Sequence, residues 1–146
     1  MAHAAPASRR MTRQRRTPDV FGPRTHAMAK VAVPVVLGLV YGYWAAAIRR
    51  DAGPVTGWNL LFGFVTALVF AVLFAAVWRL SPWLGREAHA LLWFAFTGCA
   101  IGFLYSQTGE SVLQSTGVGV GVGVGVFVAM FYRYYTHEDA AGRPLD

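Results

Sequence analysis

Arg49, Arg50 and Glu110 are the ionisable residues of this chain best placed to act together. Arg49-Arg50-Asp51 closes the first apolar block, and Glu110 stands in a later polar loop flanked by Gln107, Thr108 and Gln114. If both loops emerge on one side of a membrane, the three charges form an outer polar cluster. That cluster offers either loop pairing, worth under about 1 kcal/mol per exposed pair, or a small extracellular binding site. Other chemistry is sparse. His3, His26, His89 and His137 are scattered, and His137-Glu138-Asp139 has metal-ligand types that rarely converge on one ion when consecutive, so no metal site is expected. Cys99 is the single cysteine and lies within an apolar segment; it can form no intrachain disulfide and reads as packing. There is no Ser-His-Asp set and no Cys-His cluster, and the glycine-rich run near Gly117 lacks the Lys-Ser/Thr ending of a phosphate loop. No catalytic residue and no cofactor are expected, and the chain reads as a protein that is not an enzyme.

The elements that would position these groups are apolar. The 146 residues are 55% hydrophobic and only 14% charged, with a mean hydropathy of +0.43, whereas soluble domains carry about 25% charged residues. The apolar residues fall in four blocks, predicting an all-α, four-helix transmembrane bundle with spans at about 31–48, 58–77, 88–105 and 112–132. No Asp, Glu, Arg or Lys lies in the middle of any span, which argues against a transporter driven by protons or ions.

The run from Gly117 to Val126 alternates glycine with valine. In water five helical glycines cost on the order of 5 kcal/mol relative to alanine. In hydrocarbon an unpaired amide costs several kcal/mol, so the run must be helical or belong to a closed barrel. Read as a helix, Gly117, Gly121 and Gly125 form one stripe, with Gly119 and Gly123 read as a second stripe beside it. Small residues recur every fourth position elsewhere: Gly38, Gly42 and Ala46; Gly63, Ala67, Ala71 and Ala75; Gly98, Gly102 and Ser106. Lipid tails are as apolar as leucine, so helices must associate by close packing, and small residues permit it. The stripes predict one compact bundle, with some of them available to a second copy.

The flanks are polar. Residues 1–30 carry Arg9, Arg10, Arg13, Arg15, Arg16, Arg24 and Lys30 with three prolines, predicting a disordered basic cytoplasmic tail that sets orientation or contacts anionic lipid. Pro34 is placed in the first turn of the first span, and Tyr41, Tyr43 and Trp44 at its far interface. Thr56 is a candidate N-cap for the second span. The chain ends in a short polar tail, 136–146. The net charge is +6, yet the basic residues sit at one end and in loops, which suits topology rather than nucleic acid. Four spans put both ends on one side, which collects eleven basic residues against Arg49 and Arg50 on the other. The positive-inside rule then places both termini in the cytoplasm and the protein in the inner (plasma) membrane.

The segments Val40-Tyr41-Gly42-Tyr43-Trp44, Gly98 to Ser106 and Phe131 to Glu138 resemble those of uncharacterised small four-span membrane proteins of actinobacteria, over about residues 31–138. The resemblance implies topology and no activity. The expected function is a packing or scaffold subunit that associates with itself or another membrane protein through its glycine faces; the alternative is a small-solute channel or transporter.

Overall fold

In the computed structural model, residues 22–137 are described; the larger part of the basic tail and the last nine residues, with the readings made on them, lie outside the described residues. Helix α1 spans Pro23–Arg50, α2 Gly57–Leu80, α3 Arg86–Ser106 and α4 Val112–His137, with a single 3-10 turn at Ser81–Trp83 and no strand among the described residues. All four helices are long and apolar enough to cross a membrane, and the chain is a multi-pass membrane protein.

The first helix begins eight residues before the expected span. Pro23 stands at its start, where the missing N–H is no loss, and nothing from Arg24 to Lys30 breaks a helix. At about 1.5 Å per residue the 28 residues of α1 reach roughly 42 Å, beyond a hydrocarbon core of about 30 Å. Pro34 therefore lies in the helix interior rather than in the first turn. It is buried, and its ring removes the hydrogen bond that Lys30 C=O would accept. Helix α1 stops at Asp51 and Ala52, both with positive φ. Thr56 does cap α2: its hydroxyl accepts the Asn59 N–H at 3.2 Å. Gly109, with φ +83°, supplies the left-handed residue that turns α3 into α4.

The burial pattern is the reverse of a soluble domain's. The buried apolar residues are small, Ala45, Ala67 and Ala90 with Val77, while Leu61, Phe64, Leu68 and Leu113 are exposed. Among the described residues no large side chain is fully buried. Such a surface would be untenable in water and is what a lipid solvent permits.

The four helices form two close pairs, α1 with α2 and α3 with α4. Contacts between the pairs are few and run mainly through α2 and α3; among the described elements, α4 packs on α3 alone. The turn after α2 is tied to α3 by Trp93, whose indole N–H donates to Ser81 Oγ (3.1 Å) and His89 Nε2 (2.9 Å).

Candidate functional site

Within each pair the contact is backbone on backbone. A Cβ at Gly38 would lie 2.5 Å from the carbonyl oxygen of Ala67, and one at Gly42 would run into the carbonyl of Gly63. Across the other pair, a Cβ at Gly119 would lie 2.5 Å from Gly98 O, one at Gly98 3.0 Å from Gly119 O, and one at Gly102 3.2 Å from Ser115 O. Gly123 meets the Phe94 ring, 2.9 Å from Cδ2. Real Cβ atoms do not approach a fixed carbonyl as closely as 2.5 Å, so Gly38, Gly42 and Gly119 admit glycine alone without moving a helix; at Gly98 and Gly102 the facing backbone would have to give by a few tenths of an ångström.

Gly117, Gly121 and Gly125 are different. A Cβ at any of them meets nothing within 4 Å, and all three are exposed while Ser115, Gly119 and Gly123 are buried. The two glycine stripes are therefore not side by side. At 3.6 residues per turn, positions two apart differ by about 200°, so alternation with valine puts glycine on opposite faces of α4. One face is taken by α3 and the other is open.

The pairs meet through aromatic residues. Tyr41 stacks on Phe70 at 4.3 Å, Phe70 meets Phe96 at 5.3 Å, and Phe74 meets both Trp93 and Phe96 edge-on at 5.9 Å. Tyr41 O–H donates to Ala100 O at 2.7 Å. Tyr41 thus faces inward, unlike Tyr43 and Trp44, which are exposed; a phenol that enters an apolar region must find an acceptor, and the second lone pair of a helix carbonyl supplies one. These rings hold α2 and α3 apart and leave a cleft of about 450 Å³, bordered by Phe62, Thr66, Phe70, Phe96 and Cys99. Cys99 is exposed there rather than packed away. The aromatic seam escaped the sequence reading, although Phe70 and Phe74, and Trp93 and Phe96, stand at one-face helical spacing. Replacing Tyr41 by Phe is expected to lower the unfolding free energy by about 1 kcal/mol, read by denaturant titration in detergent; no change would mean that the bond contributes nothing.

The outer polar cluster is not assembled. Among the described residues no ion pair joins Glu110 to Arg49 or Arg50. The Arg49 guanidinium lies over the Phe62 ring at 4.5 Å, and Arg50 turns its Nε into the protein without a hydrogen-bond partner. Asn59 instead donates to Ala46 O at 2.9 Å, and Gln114 donates to the Tyr105 hydroxyl at 3.2 Å. Comparison with protein-family models, curated proteins and solved structures finds no match to the chain.

Proposed function

We propose that the protein is a packing or scaffold subunit of the membrane, associating with a second copy or another membrane protein through Gly117, Gly121 and Gly125. The observation that carries the reading is the open space over these three glycines on a helix whose opposite face is already occupied. A smooth strip two turns long lets a second helix come as close as α3 does on the other side, and membrane helices gain dispersion energy from such contact. The basic residues at the ends favour an orientation with both termini in the cytoplasm. The channel alternative is less well supported, since the cleft between the pairs is bordered mostly by aromatic and aliphatic side chains and suits lipid tails better than a hydrated solute.

Gly121→Leu tests the proposal. It is expected to abolish crosslinked dimers and the faster-sedimenting species in detergent while leaving the helical spectrum and unfolding midpoint intact. Unchanged association would overturn the reading.

A further inference from the structure

At the end of the first pair that carries the chain's N-terminus, a cleft of about 480 Å³ is bordered by Lys30, Ala75, Trp78, Arg79 and Pro82. We infer that this cleft binds the headgroup of an anionic phospholipid, with Lys30 and Arg79 holding the phosphate and Trp78 and Ala75 receiving the start of the acyl chain. The site is separate from the glycine faces, and Lys30, the last basic residue before the first span, belongs to it.

Three features of the cleft point to this occupant. Lys30 and Arg79 come from different helices and are 49 positions apart in sequence, yet they border one opening and none of the five residues is acidic. Two like charges brought together with no counterion among the described residues call for an anion, and arginine fits phosphate through two parallel N–H bonds. The depth of the cleft then selects a lipid over a soluble anion. Ala75 lies one helical turn inside the membrane from Arg79, so the opening runs from the aqueous boundary into the apolar zone. Trp78, partly exposed and packed edge-on against Phe74 at 5.9 Å, stands at that boundary, where indoles settle at the headgroup level. Pockets of basic side chains between membrane helices bind anionic headgroups in this way.

The test uses the full-length protein, purified with mixed phosphatidylglycerol and phosphatidylcholine of equal chain length, with retained lipid read by native mass spectrometry. The wild type is expected to keep one phosphatidylglycerol in preference by about tenfold, since each basic group near the surface strengthens attraction severalfold. The double variant Lys30→Gln/Arg79→Gln is expected to lose that preference. Lys30→Arg/Arg79→Lys should keep it, and so should a chain with Arg9, Arg10, Arg13, Arg15 and Arg16 replaced by glutamine. Preference that survives in the glutamine double variant, or that vanishes with the tail substitutions, would overturn the assignment. So would displacement of the lipid by millimolar inorganic phosphate, which would make the site one for a free anion. The unfolding midpoint of each variant reports folding independently of lipid.

Discussion

Gly119→Leu is expected to separate α4 from α3. The new side chain must occupy the space where the carbonyl of Gly98 now stands, 2.5 Å from the Cβ position, with Gly102 Cα at 3.1 Å behind it. Both obstacles are backbone, so no rotamer change relieves them and a whole helix must move. Overpacking in a tight core costs about 1–3 kcal/mol and occasionally more; here it also forfeits the contact along Ser115, Gly119 and Gly123, so a loss of about 3 kcal/mol or more is expected. Leucine is the better helix former by up to about 1 kcal/mol, so helix content should hold while the pair fails. Thermal unfolding in detergent, followed by near-ultraviolet dichroism of the tryptophans, reads the effect. A midpoint within a degree of the wild type would show that α4 does not pack on this face.

Gly42→Leu is expected to do comparable damage to the other pair. Gly42 faces the backbone of Gly63 and both the amide and Cβ of Ala67, the last two at 2.7 Å. The two helices meet there at their smallest residues, and neither can yield without giving up the contact of Gly38 with Ala67 and Ala71 one turn away. The expected signature is early unfolding of α1 and α2, seen as faster amide exchange from about residue 34 to 71 with α3 and α4 still protected, because few contacts link the pairs. Uniform loss of protection over all four helices would mean that the pairs unfold as one unit.

The architecture was legible because lipid leaves so few options. Four apolar blocks of about twenty residues, free of central charge, have the length of spanning helices rather than of barrel strands, and the small-residue repeats at Gly38, Gly42, Gly98 and Gly102 mark faces that meet a neighbour. The pairing of those faces was less legible. A glycine every second residue satisfies a four-residue repeat twice, and only the partner decides which repeat is used; α3 takes Gly119 and Gly123 and leaves Gly117, Gly121 and Gly125. Tyr41 was misplaced because tyrosine near a span end usually marks the interface, and its inward turn depends on Phe70 and on Ala100 O, which lie 29 and 59 positions away. The charges at Arg49, Arg50 and Glu110 were joined by topology alone: two loops on one side of a membrane need not touch when their helices belong to different pairs.

The central claim is that α4 uses its two glycine faces for different neighbours, α3 on one and a separate helix on the other. Its most direct test is a leucine scan of Gly117, Gly119, Gly121, Gly123 and Gly125, with unfolding midpoint and dimer fraction measured on every variant in one detergent. The account predicts alternation: the midpoint falls at 119 and 123 and holds at 117, 121 and 125, while the dimer fraction falls at 117, 121 and 125 in protein that remains folded. Equal loss of stability at all five positions, or an undisturbed midpoint at 119, would contradict it.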